Sequence, residues 1–248
     1  MKSIRLFLSI ALGTIFVSGC IINVSSGVTV TGGCTEVGCD FSEERTPEPF
    51  ESFTSAGPFN VYFVQAAEQK VLVEGKEEFV GKVLTTVSGD NLTIKLEDGI
   101  YSHLVLKVTV FSPDIKKMKT SGSGNLCSEG MTVGDLDVST SGSGDVRLGT
   151  VACDRLTISS SGSGDFSVAE LSVGEDAELS TRGSGNVDVE RITAAGSLKL
   201  STMGSGSMHV SGSCKDLDAS TMGSGDISGD MEFESISRSE TGSGRVKF

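Results

Sequence analysis

The chain has 248 residues, with 33 acidic against 20 basic side chains, a formal net charge of −13, no Trp, two Tyr and two His. That balance excludes nucleic acid and anionic lipid headgroups as charge-driven partners, because either requires a basic patch and none occurs along the sequence. The 32 glycines, and where they fall, point instead to a repeating architecture.

In chain order, the first element is an export signal. Lys2 and Arg5 precede an apolar run from Leu6 to Val17 and then small residues, so residues 1–19 read as a secretory signal peptide. The run is shorter than the roughly 20 apolar residues of a membrane-spanning helix. Val17-Ser18-Gly19-Cys20 is similar to the bacterial lipoprotein signal, in which the Cys is acylated and becomes the first mature residue. The other reading is an ordinary signal peptide with a Cys at its cleavage site. Acyl chains on Cys20 would partner the lipid bilayer, each buried CH₂ adding about 0.8 kcal/mol. Cleavage removes Lys2 and Arg5 and takes the charge from −13 to −15.

Residues 20–46 are rich in Ser, Gly, Thr and acidic side chains and read as a lipidated tether. Within them, Cys34 and Cys39 are spaced to close a small disulfide loop in an oxidising compartment. Two independent thiols are the alternative, and a zinc site lacks a second ligand pair of matching spacing. Without Cys20 five cysteines remain, so at least one has no partner within the chain.

Residues 47–111 form an N-terminal β region, with strand patterns at Asn60–Gln65, Lys70–Glu74, Val83–Val87, Asn91–Leu96 and Leu104–Val110. Ser88-Gly89-Asp90-Asn91 predicts a hairpin turn, and residues 77–81 a single helical turn. The region contains no Gly-Ser-Gly and is expected to be a small β cap or a set of less regular opening coils. Pro113 is the last proline of the chain, in keeping with a stacked strand's need for every backbone N–H.

Residues 112–248 repeat. Gly-Ser-Gly begins at Gly122, Gly142, Gly162, Gly183, Gly204, Gly223 and Gly242, at spacings of 20, 20, 21, 21, 19 and 19. Six residues before each corner after the first stand Leu136, Leu156, Ala177, Leu198, Leu217 and Ile236, and four before stand Val138, Ile158, Leu179, Leu200, Ala219 and then Arg238. Four residues after the first Gly stand Leu126, Val146, Phe166, Val187, Met208, Ile227 and Val246. Apolar residues two apart mark half-buried strands, so each coil holds a strand, a tight corner and a second strand. Stacked at roughly 4.8 Å, seven such coils make a rod of roughly 30 Å. Arg238 and Glu240 fall on inward positions of the final coil and predict a polar closing turn that discourages edge-to-edge pairing.

Lipoprotein signal, Phe50-Glu-Ser-Phe53, Asn60-Val-Tyr-Phe-Val-Gln65 and then serial Gly-Ser-Gly coils followed by Asn or Asp: this order resembles the head GIN domain family, Bacteroidetes lipoproteins named for auto-transporter adhesins. The likeness covers roughly Thr46 to Phe248. It implies a right-handed single-stranded β-helix and brings no catalytic residues to carry over.

Candidate chemistry is sparse. The residue after each corner forms a column, Asn125, Asp145, Asp165, Asn186, Ser207, Asp226 and Arg245, which reads as turn-forming Asx residues or as a weak calcium site at Asp145, Asp165 and Asp226. Calcium β-rolls repeat every nine residues, which these coils do not. Asp135 and Asp137 read as a solvated face. Cys153 and Cys214, three coils apart, are too distant for a disulfide and read as small core residues, whereas Cys127 is expected to face outward as an inert thiol, with pairing to the tether or another molecule as the alternative. Met203 and Met222 suggest a slightly apolar patch or isolated surface methionines. The expectation is therefore an all-β solenoid and outer membrane lipoprotein, facing the periplasm or the exterior. It would be non-enzymatic, hold no cofactor and bind a glycan or envelope protein through its ladder faces. A structural envelope protein without a dedicated ligand and a carbohydrate-active β-helix enzyme are the alternatives.

Overall fold

The period-two columns become strands throughout the computed structural model, which describes residues 40–248. In the opening region, β1 (Phe41–Arg45), β2 (Ser52–Ala56), β3 (Asn60–Gln65) and β4 (Lys70–Gly75) precede the one-turn helix α1 (Glu77–Val80). Then come β5 (Val83–Ser88), β6 (Asn91–Leu96) and β7 (Leu106–Ser112). The expected hairpin joins β5 to β6, Ser88 facing Asn91 across a two-residue turn whose first central residue, Gly89, has φ +60°.

The repeat follows as pairs of strands. These are β8 (Lys117–Gly122) and β9 (Leu126–Thr132), β10 (Leu136–Gly142) and β11 (Val146–Cys153), β12 (Leu156–Gly162) and β13 (Phe166–Val173), β14 (Ala177–Gly183) and β15 (Val187–Ala194), β16 (Ser197–Gly204) and β17 (Met208–Ser213). The last two coils hold β18 (Asp216–Gly223) with β19 (Ile227–Ser228) and β20 (Met231–Glu232), and β21 (Ser235–Gly242) with β22 (Val246–Lys247). The strand before each corner joins a 10-stranded sheet and the strand after it a 12-stranded sheet, so the molecule is a two-sided β-solenoid of about 7 turns. Every neighbouring pair in the repeat runs parallel, and the register is continuous except between β15 and β17, where it shifts between Val189 and Ile192.

Register lines up the apolar columns. Leu136 stands against Leu156, then Ala177, Leu198, Leu217 and Ile236. On the facing sheet Val146 is followed by Phe166, Val187, Met208, Ile227 and Val246. The four leucines of the first column are at most 2% exposed. One continuous core runs from Phe50 to Val246 between the two sheets.

The opening region contributes both expected forms. β2 pairs in parallel with β6 and β8, and β3 with β7 and β9, so the layer of residues 52–65 sits between the layer of β6 and β7 and the first Gly-Ser-Gly coil. Antiparallel strands β4, β5 and β1 then finish the sheet ends. This layer also has a corner that its sequence disguises. Gly57 N donates to Ser121 O, Gly124 N donates to Gly57 O, and Asn60 Oδ1 accepts from Asn125 N, so Gly57-Pro58-Phe59-Asn60 occupies the place of Gly-Ser-Gly-Asn.

Candidate interaction faces

The outer face of the 10-stranded sheet is set by the third residue before each corner. Ser139, Ser159, Ser180, Ser201, Ser220 and Ser239 stand directly against one another in six successive coils. The Ser159 and Ser180 hydroxyls are 3.2 Å apart, and Ser180 Oγ also donates to Ile158 O at 3.3 Å. Two residues earlier the column carries charges of both signs. Lys117 pairs with Asp137 at 2.6 Å, and Lys199 with Glu178 at 2.9 Å. The hydrogen bond that Lys199 donates to Glu178 raises the Lys199 pKa. Asp135, on the neighbouring turn, lies 3.9 Å from Arg155, which also reaches Glu175.

One position before the corners, Ser141 and Ser161 give way to Arg182, Met203 and Met222, each opposite the next. Met203 and Met222 are 45% and 52% exposed. Period two places them together on the serine face, which therefore carries two exposed methionines beside its hydroxyls, with Thr241 following Met222 in the last coil.

The corner column forms a hydrogen-bonded ladder. Asn125 Oδ1 accepts Asp145 N at 2.8 Å, Asp145 Oδ1 accepts Asp165 N at 3.0 Å, and Asp165 Oδ1 accepts Asn186 N at 2.9 Å. Asn186 Oδ1, Ser207 Oγ and Asp226 Oδ1 continue it to Ser207, Asp226 and Arg245. Each side chain thus binds the backbone of the coil above, which offsets the repulsion that stacked carboxylates would otherwise feel. Of the three calcium candidates, Asp145 also pairs with Arg147 at 2.8 Å and Asp226 with Lys247 at 2.5 Å. The hydrogen bonds from the Lys247 side chain and the Arg245 backbone lower the Asp226 pKa. Among the described residues no group of three or more His, Cys, Asp or Glu is placed to hold a metal ion.

A second ladder lies inside. Two residues before each corner stand Thr120, Thr140, Ser160, Thr181, Thr202 and Thr221, all buried. Thr181, Thr202 and Thr221 donate their hydroxyls to the carbonyls of Gly185, Gly206 and Gly225, the last glycines of their own corners. Polar residues on inward positions interrupt the apolar alternation, so the column is visible only when Thr-x-Gly-Ser-Gly is taken as one unit.

Cys153 and Cys214 are free thiols within the core, and desolvation pushes Cys153 up to about 11. Cys127 corrects an expectation. It stands in register between Tyr62 and Arg147, yet it is 5% exposed and disulfide-bonded rather than an outward-facing inert thiol. Cys20, Cys34 and Cys39 lie outside the described residues.

The family model described as "Putative auto-transporter adhesin, head GIN domain" matches residues 49–170 and again 158–248. The chain belongs to the head GIN domain family. Solved structures share the fold of this head GIN chain. A "putative adhesin" from Bacteroides fragilis NCTC 9343 has a TM-score of 0.75 at 22% identity, over 84% of this chain and 95% of its own. A "putative lipid binding protein" from Parabacteroides distasonis ATCC 8503 has a TM-score of 0.63 at 22% identity, over 84% and 96%. A "putative adhesin" from Parabacteroides merdae ATCC 43184 has a TM-score of 0.63 at 20% identity, over 84% and 95%. No curated protein matches this sequence.

Proposed function

We propose that this head GIN chain is a non-enzymatic binding or adhesion module of the cell envelope, which holds a glycan or envelope protein against the outer face of its 10-stranded sheet. The observation that carries the reading is the unbroken in-register run from Ser139 to Ser239, a flat lattice of hydroxyls at a fixed spacing of roughly 4.8 Å. Hydroxyl rows of this kind suit a chain of repeating polar units, since each coil offers donors and acceptors at the same height. The family description and the adhesin neighbours support the same reading. In this proposal Cys20 carries acyl chains in the outer membrane, and residues 20–46 tether the solenoid to it.

The test is retention of the purified solenoid on glycan and envelope fractions, compared with a variant carrying Ser159→Arg, Ser180→Glu and Ser201→Arg. Specific retention by the original protein, reduced at least about tenfold in the variant, supports the reading. Equal retention by both moves the site off this face. No specific retention by either favours a structural envelope protein.

A further inference from the structure

Each corner of the solenoid is completed by the coil that follows it. Gly223 O accepts the N–H groups of Ser243 and Gly244 at 2.8 and 3.0 Å, as Gly204 O accepts those of Ser224 and Gly225. Just past each corner the first strand residue donates its N–H to the following coil: Met208 N to Asp226 O at 2.8 Å and Ile227 N to Arg245 O at 2.9 Å. The outermost coil, with β21 and β22, has the same groups and no described coil beyond it. By the logic of a growing sheet, Gly242 O and Val246 N should stand open as a template for another strand.

They are instead occupied by charged side chains of the same coil. Arg245 Nη1 donates to Gly244 O at 2.9 Å and, more distantly, to Gly242 O at 3.5 Å. Glu240 Oε1 accepts Val246 N at 2.7 Å, taking the part that a carbonyl of a following coil plays for Ile227 and Met208. Arg238 Nη2 donates to Phe248 O at 3.0 Å. In the coil below, these positions hold Ala219, Thr221 and Asp226, which serve the core, the corner and the ladder. What distinguishes this coil is therefore a set of three substitutions whose charged groups meet backbone atoms of their own coil, among them Gly242 O and Val246 N, whose counterparts in the coils below bond to the next coil.

We infer that Arg238, Glu240 and Arg245 form a terminating cap that ends the stack and closes this end of the rod against a second copy of the chain. Charge at the edge adds a desolvation barrier to any strand that tries to add there. Replacing the three by residues of the repeat, Arg238→Leu, Glu240→Thr and Arg245→Asn, reopens the template. Sedimentation of the variant should show concentration-dependent association that the original protein lacks at the same concentration. A variant with native circular dichroism that sediments like the original overturns the inference.

Hydrogen exchange at the Val246 amide gives a second reading that does not depend on the triple variant folding. Exchange should quicken about tenfold or more in Glu240→Ala, the scale of a lost charge-assisted hydrogen bond. It should stay slow in Glu240→Gln, which keeps an acceptor oxygen. Unchanged protection in Glu240→Ala overturns the cap on its own.

Discussion

A Cβ placed on Gly144 would lie 2.1 Å from the Gly124 carbonyl oxygen, and one on Gly164 would lie 2.0 Å from that of Gly144. The last glycine of the corner is thus required by the closeness of the coil beneath. The first is required by that and by its backbone, since Gly142 has φ +133°. Gly144→Ala should accordingly destabilise the fold by about 1–3 kcal/mol in urea denaturation, the scale of overpacking a tight interior. Gly134→Ala, whose nearest neighbour would be 3.9 Å away, should stay within about 0.5 kcal/mol of the original. The tripeptide was plain in the sequence, but the different demands on its two glycines were not, because they depend on the distance between coils. Asp226 offers a test by pH. Its folded pKa is lowered by Lys247 and the Arg245 backbone, so its stabilisation is present above the ordinary carboxylate value of about 4 and lost as pH falls through the lowered folded value. Asp226→Asn keeps an oxygen for Arg245 N but removes the charge. Its melting temperature should fall less steeply than that of the original protein as pH drops below about 4.

Strands were recoverable from period-two alternation wherever the inward residues were apolar, which is why the columns headed by Leu136 and Leu126 could be traced by spacing alone. Two features escaped that pattern. The inward hydroxyls from Thr120 to Thr221 break the apolar alternation, although they are buried and three of them hold their own corners. The corner at Gly57-Pro58-Phe59 carries Phe where the repeat has its last glycine. Beneath it, β6 ends at Leu96 and β7 begins only at Leu106, so no regular corner crowds that position and the buried Phe59 side chain takes the space. The order of layers was also hidden, since nothing in a linear reading says that β2 and β3 insert between later strands and the repeat. Energetically, the apolar columns should dominate. Leu156→Ala, 2% exposed in the middle of its column, should cost about 2–5 kcal/mol. Ser159→Ala, three residues away on the outer face, should change stability by less than about 0.5 kcal/mol. Denaturant titration of the two single variants distinguishes a fold held by its column from one held by its surface ladder.

As a whole the molecule is a stack whose length is set by coil number, whose sides are two sheets and whose far end is closed by its own charges. Its candidate site is poorly marked in sequence for the same reason that its fold is well marked: a repeated serine carries no chemical signature until parallel register places six of them in a row. Cys127 escaped for a different reason, since the number of cysteines shows that pairing is incomplete without saying which thiol is bridged. The claim beneath everything above is that successive coils stand in register at a constant rise, and electron paramagnetic resonance distances between paired spin labels address it most directly. With labels at Ser139 and Ser220, four coils apart, and at Lys119 and Ser239, six coils apart, the backbone separations should be roughly 19 Å and roughly 29 Å. A Lys119–Ser239 distance no longer than that of Ser139–Ser220 would contradict the stacked-coil account.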